Sequence, residues 1–337
     1  MKIWLNKLEC EVREGETLMA TARRKGLSIP SLCSSEGAVH KASCMVCVVK
    51  NLSNGQIFPS CTTYPVEGMN IETESEEIRA IRKQSLELLL SDHRADCEAP
   101  CTLVCPKELE VEQMLNHYDS SQYREAYHLI AEAFSLPEIG CDTCKAPCEK
   151  ACRRGTIDTA VTIRAIIKEV VGMFEPMPRN NENRHIKTDK NLFQSKLGRF
   201  TASEREQLKT TATTPSRCLH CACAGRGGCQ LRLLATSAEI KRPRYATSSV
   251  RPAMIKQYVN GNMWFEQAKC IKCGLCVYNS RNGFTFKDRG FSMQVVLPEE
   301  NAGHVDETTA ELCPTGALYV VQGSRFKVSE RSRIFRP

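Results

Sequence analysis

Residues 91–106 read SDHRADCEAPCTLVCP, and residues 141–155 read CDTCKAPCEKACRRG. Seven cysteines lie in these two runs: Cys97, Cys101, Cys105, Cys141, Cys144, Cys148 and Cys152. Most of them recur at i and i+4, and on a helix that spacing puts the thiols on one face. A row of thiols on one face suits a polynuclear iron–sulfur cluster, which needs about four thiolates converging on one point. The plain alternative is buried, inert cysteine, but chance burial does not produce this spacing twice. His93 stands four residues before Cys97, in step with the series. It reads either as a surface histidine or as a cluster ligand in place of a cysteine. As a ligand it removes one negative charge and raises the reduction potential. Between the two runs, 107–134 is polar and helix-forming.

Working outward, composition supports metal over disulfides. The chain has 337 residues, 42% of them hydrophobic, enough for two to four small domains. Twenty cysteines are many for a chain without a secretory leader. The N-terminal run MKIWLNKLECEVREGE has no basic start followed by a long apolar core, so it does not read as a signal peptide. No stretch is long and apolar enough for a transmembrane helix. The expectation is a cytoplasmic, metal-binding protein. The formal charge of +7 counts the cysteines as neutral. With five clusters bound, one of them through a histidine, the net charge becomes about −2. The basic balance is therefore a weak argument for nucleic acid, and no nucleic-acid partner is expected.

Residues 1–78 read as a β-rich domain, with a hairpin of strands over 2–6 and 10–13 and a helix over 17–25 that ends at Gly26. Cys33, Cys44, Cys47 and Cys61 follow with gaps of 10, 2 and 13 residues. Three sulfurs on one loop and a fourth from a later strand is how a [2Fe–2S] rhomb is held. Ser34, Ser35, Gly37, Ala38, Ala42 and Ser43 keep the loop small, so that backbone N–H groups can approach the sulfides and raise the potential. Cys10 stands apart and reads as a small core residue. The runs SLC, SCMVCVV and PSCTTYPVEGMNIET carry a resemblance to the plant-type-like [2Fe–2S] domain of the complex I large iron–sulfur subunit and of many [FeFe]-hydrogenases. That resemblance implies a β-grasp ferredoxin fold.

An amphipathic helix over 76–91, with Ile78, Ile81, Leu86, Leu89 and Leu90 on its apolar side, should dock this domain onto the next. Residues 79–175 resemble the helical double-cubane domain of the glutamate synthase small subunit and dihydropyrimidine dehydrogenase, through APCTLVCP and KAPCEKACRRG. The resemblance implies interleaved ligands. Cys97, Cys101 and Cys152 would hold one [4Fe–4S] cluster, with His93 at the family's first cysteine position. Cys105, Cys144 and Cys148 would hold the other, with Cys141 as the fourth. The rival assignment is sequential, with His93, Cys97, Cys101 and Cys105 together and Cys141 to Cys152 together. A helix over 158–171 should pack on this core. No G-x-G-x-x-G follows a strand, no Walker loop appears, and GRGG at 225–228 lies inside a cysteine group.

Residues 176–216 read as a linker with a short helix over 203–209. RCLHCACAGRGGCQLR then supplies Cys218, Cys221, Cys223 and Cys229, a cysteine-rich module over 217–250 for a [4Fe–4S] cluster or zinc. His220 reads as a neighbour of the ligands. In 251–337, AKCIKCGLCVYNS supplies Cys270, Cys273 and Cys276 at bacterial-ferredoxin spacing, and ELCPTGAL supplies Cys313 before a proline. Asn279 and Ser280 stand where such a run has its fourth cysteine. This region resembles a ferredoxin reduced to one cluster, with the β-like insert 284–297 in place of the second. Trp264 and Phe265 read as core residues.

The fold class expected is α+β multidomain: a β-grasp [2Fe–2S] domain, an α-helical ferredoxin domain, a cysteine-rich module and a single-cluster ferredoxin-like domain. The function expected is a multi-cluster electron-transfer subunit with no catalytic site of its own. The resemblances imply partners in a hetero-oligomer: a flavoprotein that oxidises NAD(P)H, and a second flavin- or metal-bearing redox subunit of a hydrogenase-like or flavin-bifurcating complex. A ferredoxin-like donor to a separate glutamate-synthase-type flavin enzyme is the alternative. A zinc-bearing scaffold or nucleic-acid protein is the alternative from another class, and an iron content near eighteen atoms, about one [2Fe–2S] and four [4Fe–4S] clusters, excludes it.

Overall fold

A computed structural model describes residues 1–94, 96–134, 137, 141–175, 200–211, 214–223, 228–241, 244–245, 256–322 and 325–327. The stretch 176–199, most of the expected linker, and residues 225–227 of GRGG lie outside the described residues.

The N-terminal region builds a five-stranded sheet from β1 (Lys2–Leu5), β2 (Leu8–Glu11), β3 (Val48–Asn51), β4 (Ile57–Pro59) and β5 (Asn70–Glu72), in the order β2-β1-β5-β3-β4. Only the β1–β5 pairing is parallel. Alternation puts Ile3 and Leu5 on the inner face, where both are fully buried against Leu18, Ala22 and Ile71. Helix α1 (Leu18–Arg24) crosses that face. Thr17 caps it, its side chain accepting from Ala20 N at 3.3 Å, and Gly26 ends it with φ +76°. Cys10 is fully buried in this core.

Helix α2 (Glu76–Asp92) starts at Ser75, whose hydroxyl accepts from Ile78 N, and Glu76 and Glu77 sit in its first turn, where the helix dipole favours acids. Arg82, on its inner face, is buried and reaches back to the carbonyls of Val48 and Thr73, 2.8 Å each. One turn on, Leu86 and Leu90 pack with Leu32, Cys33 and Val46 of the first region and with Leu231 and Ala235 far along the chain. These contacts join the first region to the stretch around Leu231 and Ala235, rather than to the helical core that follows α2, where the docking was expected.

The cysteine-rich stretch is mostly turns. α3 (Pro100–Leu103) and α6 (Pro147–Lys150) are single turns, each begun by a proline. Cys97 precedes α3 and Cys105 follows it; Cys141 and Cys144 precede α6 and Cys152 follows it. The thiols therefore do not line one helix face. Proline cannot donate into a preceding turn, so neither run continues as one helix through its cysteines. Between them α4 (Val111–Asp119) and α5 (Tyr123–Ala133) pair, and α7 (Ile163–Gly172) closes the core with Ile163, Ile166, Ile167 and Val170 buried against Met114, Tyr127 and Ile130. α8 (Ala202–Thr211) follows, and α9 (Gln230–Ser237) packs against α2.

The C-terminal region has β6 (Lys256–Asn260), β7 (Met263–Glu266), α10 (Leu275–Asn279), β8 (Thr285–Lys287), β9 (Gln294–Val296), α11 (Thr308–Glu311), β10 (Leu318–Gln322) and β11 (Arg325–Lys327). Its main sheet runs β11-β10-β7-β6, antiparallel throughout, and β8–β9 form a separate hairpin where the insert was expected. Phe265 is buried against Phe284, while Trp264 is half-buried. No described helix is long and apolar enough to cross a membrane.

Candidate metal centres

Cys33, Cys44, Cys47 and Cys61 are all buried at the end of the first sheet. Cys33 stands within hydrogen-bonding reach of Cys44 and Cys61, and Cys47 within reach of Cys61. Cys44, and then Cys61, hold the Cys33 thiol far below its ordinary range, and contact with Cys61 brings Cys47 down to about 7. The Cys44 and Cys61 thiols are pushed up in turn, chiefly by Cys33. Such a set suits a centre that replaces several protons with iron. Ser43 N donates to Cys33 Sγ at 3.4 Å, as the small-residue loop requires.

A second set lies in the C-terminal region. Burial pushes the Cys270 thiol up to about 12 and those of Cys273 and Cys276 well above their ordinary range, with Cys313 adding to each. Lys272 N donates to Cys270 Sγ at 3.3 Å and Leu318 N to Cys313 Sγ at 3.4 Å, so the sulfurs are prepared for negative charge. Asn279, one residue before the position of the missing cysteine, clamps the first region: its Nδ2 donates to Val39 O at 2.7 Å and its Oδ1 accepts from Val39 N at 2.9 Å. Ser280, which holds that position, bonds within its own turn, to Cys276 O.

A third set, Cys105, Cys141, Cys144 and Cys148, lines a cavity of 350 Å³ with Leu109, Phe134 and Ile167. Burial raises Cys141 to about 11 and Cys148 to about 12, and Cys105 contributes to both. Here the interleaved expectation and the structure bring together the same residues.

The rest of that expectation differs from the geometry. Cys97 lies outside the core that contains Cys101 and, at its edge, Cys152. Burial raises its thiol to about 12, and among the other thiols Cys223 adds to that rise. Cys101 is raised well above its ordinary range by burial, then by Cys218, Cys221, Glu112 and Cys152. Nor do the four thiols of 218–229 meet at one point. Cys218 and Cys221 pack on the core of α4, α5 and α7, whereas Cys229 lies in the core between α2 and α9. An isolated parallel bridge between Asp96 and Ala222 holds the two stretches together.

Of three further side chains, His220 and Lys269 interact with thiols of these sets and His93 interacts with Lys269. His93 is buried rather than on the surface, and burial followed by the Lys269 charge lowers its imidazole to about 4. Lys269, to which no local pattern points, is itself buried and pairs with Glu266 at 2.7 Å; burial opposes its charge, but Glu266 and then Cys223 raise its ammonium above the ordinary range. His220 is held between Asp119 (3.1 Å from Nε2) and Glu112 (3.4 Å from Nδ1); burial opposes its charge, but these carboxylates and Cys218 outweigh it and raise it to about 11.

Family models match three parts of the chain. A 2Fe-2S iron–sulfur cluster binding domain covers residues 2–76, a dihydropyrimidine dehydrogenase domain II with 4Fe-4S cluster covers 72–177, and a 4Fe-4S single cluster domain covers 263–320. The chain is thus a mixed α/β iron–sulfur electron-transfer protein with [2Fe–2S] and [4Fe–4S] ferredoxin-like domains. It is similar to an NADH-quinone oxidoreductase chain of Rhizobium meliloti (the G 2 subunit), 29% identical over 48% of this chain and 21% of that one. It also resembles the HndD chain of the NADP-reducing hydrogenase of Solidesulfovibrio fructosivorans, at 39% identity over 30% of this chain and 17% of that one. The gamma chain of the NAD-reducing hydrogenase HoxS of Cupriavidus necator matches at 33% over 25% and 35%. The chain therefore spans about a third or less of the length of these curated relatives. A chain in the crystal structure of an NAD+-reducing [NiFe]-hydrogenase in the H2-reduced state shares the fold at TM-score 0.51 and 17% identity, over 97% of this chain and 87% of that one.

Proposed function

We propose that the chain is the internal relay of an NAD(P)H-linked oxidoreductase complex, built as a [2Fe–2S] domain over 1–78, a helical domain over 79–175, a linker to 216, a cysteine-rich stretch over 217–250 and a ferredoxin-like domain from 251. Its ligands are His93 and every cysteine except Cys10, enough for one [2Fe–2S] and four [4Fe–4S] clusters. The first region has the sheet-and-helix layout of a β-grasp ferredoxin.

The observation that carries this reading is the contiguity of the thiol sets. Ser43 Oγ, on the Cys33–Cys47 loop, donates to Cys273 O at 3.3 Å, and Cys33 and Cys273 share one core. Cys229 lies within the influence of both Cys313 and Cys97. Cys101 lies within the single turn α3, and Cys105 two residues beyond its end. The sets thus form one path from the Cys33 loop to the Cys105 cavity. Clusters bound there supply one-electron chemistry. The side chains set their spacing, exclude water with Leu, Ile and Val, and tune potentials with N–H···S bonds such as those at Cys33, Cys270 and Cys313.

The names of the relatives support a partner that handles NAD(P)H, here a flavoprotein, and a second redox subunit beyond. Val39, Met45, Tyr64 and Val66, exposed on and just after the Cys33–Cys61 region, give the [2Fe–2S] end an apolar surface for one of them. Anaerobic purification with mass spectrometry of the associated chains tests this reading. It expects about eighteen irons per chain and a co-purifying flavoprotein through which NAD(P)H reduces the clusters. An iron-free or zinc-bearing chain overturns it; a brown monomer that binds no other chain makes it a diffusing ferredoxin instead.

A further inference from the structure

The stretch 214–237 lies outside all three matched family segments, yet it is tied to each of them. On the helical side, Ser216 N and Oγ donate to the two Asp119 carboxylate oxygens at 2.8 and 2.6 Å, and Arg217 pairs with Asp158. Arg217 and His220 both take positive φ, 57° and 46°, so the chain turns sharply on either side of Cys218 and presses Cys218 and Cys221 onto the core that contains Cys101 and, at its edge, Cys152.

From there the chain extends. The parallel bridge of Ala222 to Asp96 sets Cys223 beside Cys97 in register. Along an extended chain, residues two apart are separated by about 6.6 Å, so Cys221 and Cys223 reach different points. Cys229 then caps α9, its Sγ accepting from Arg232 N at 3.4 Å, while Arg232 faces Glu98 at 3.5 Å. Gln230 N donates to Pro314 O at 2.8 Å, next to Cys313. Ala268 accepts from Arg94 N at 2.9 Å, which holds His93 beside the stretch that carries Lys269, a side chain on which the Cys223 thiol acts.

We infer that 218–229 is not a centre of its own but a strap that completes two centres of the helical domain: Cys218 and Cys221 join Cys101 and Cys152 in one [4Fe–4S] site, and Cys223 and Cys229 join Cys97 in a second, with His93 as its fourth ligand. This rests on the iron–sulfur reading above. It leaves no set of four thiols for a zinc ion in the strap. It also makes the strap the middle of the path, since its second site lies between the Cys270–Cys313 set and the first.

Alanine substitutions in the holoprotein, with iron analysis and EPR, test the assignment. The unaltered chain has about eighteen irons. Cys221→Ala and Cys223→Ala each lose one [4Fe–4S] cluster, about four irons, and the doubly substituted chain loses two, about eight irons. The EPR signal lost from Cys221→Ala is the one lost from Cys101→Ala, and that lost from Cys223→Ala is the one lost from Cys97→Ala. The [2Fe–2S] signal persists in every variant and reports that the chain is folded. Loss of the same single signal from Cys221→Ala and Cys223→Ala overturns the split, as does loss of zinc with all iron retained. An unaltered chain without iron would instead defeat the iron–sulfur reading itself. The paired single variants keep the test decisive if the double variant does not fold.

Discussion

Gly274 sits between Cys273 and Cys276 with φ +81°, a conformation that costs a side chain about 1–2 kcal/mol. A Cβ there would also come within 2.7 Å of the Tyr278 ring and 2.9 Å of the Phe286 ring. Gly274→Ala should therefore displace the Cys270–Cys276 loop. The expected outcome is partial loss of one [4Fe–4S] signal with the [2Fe–2S] signal intact, read by EPR; full occupancy would mean that the loop tolerates the strain. Asp158 acts at longer range. Hydrogen bonds from the buried Arg154, 2.7 and 2.6 Å long, hold its carboxyl at about 2, below its ordinary value of 3.8. Because the folded value is the lower one, the stabilisation is complete above about pH 4 and is lost as pH falls through 2. Asp158→Asn should cost about 2 kcal/mol, the scale of a charge-assisted bond. Anaerobic melts should show the same deficit at pH 7 and pH 5 and a smaller one at pH 3. An equal deficit at all three would assign it to packing instead.

Among the elements, α2 joins the first region to the rest, and Leu90 lies 1% exposed where Leu32 and Leu231 meet. Leu90→Ala leaves a cavity that three elements would have to fill together. A loss of about 3 kcal/mol is expected in denaturant titration followed by cluster absorbance. A loss below about 1 kcal/mol would mean that the regions do not depend on this contact. That helix was legible in the sequence because Ile78, Ile81, Leu86, Leu89 and Leu90 recur at helical spacing; its serine cap and acidic first turn support the same element in the structure. The single-turn helices around the cysteines were legible only in part. The i, i+4 spacing suggested one helical face, but Pro100 and Pro147 each start a fresh turn, and the thiols converge from turns on either side. Proline beside a ligand outranks periodicity there. The set Cys105, Cys141, Cys144 and Cys148, which lines one cavity, was still within reach of the sequence, through the resemblance of APCTLVCP and KAPCEKACRRG to the double-cubane domain. The strap could not: local spacing in CLHCAC suggests a self-contained site, and only the pairing of residue 222 with residue 96 separates its thiols. No local pattern carries such a pairing. Asn279 and Ser280 were noticed for the cysteine missing there, but the use of Asn279 as a clamp on Val39 depends on a surface brought to it by the fold.

For the whole molecule, the relay reading requires the Cys33 loop and the Cys270 loop to be held in register. The contact is small and specific. Asn279 grips both backbone groups of Val39, Ser43 Oγ donates to Cys273 O, and Lys41 lies over the Tyr278 ring, 5.2 Å from its centroid. Behind these, Cys33, Cys44, Ile271 and Cys273 share an apolar core, so water is excluded between the two sets. Paramagnetic centres held this way relax one another. The [2Fe–2S] signal of the reduced protein should therefore show relaxation enhanced by the neighbouring [4Fe–4S] centre. Asn279→Ala removes the clamp and leaves every thiol in place. Its iron content should remain near eighteen atoms, about the full complement of five clusters, while the relaxation enhancement falls. Slower reduction of the distant clusters should accompany that fall if the complex feeds electrons in at the [2Fe–2S] end. Unchanged relaxation would show that the buried core alone sets the spacing. Lost iron would show that Asn279 supports the Cys270–Cys276 loop itself, through its second bond, from Nδ2 to Leu275 O at 2.8 Å.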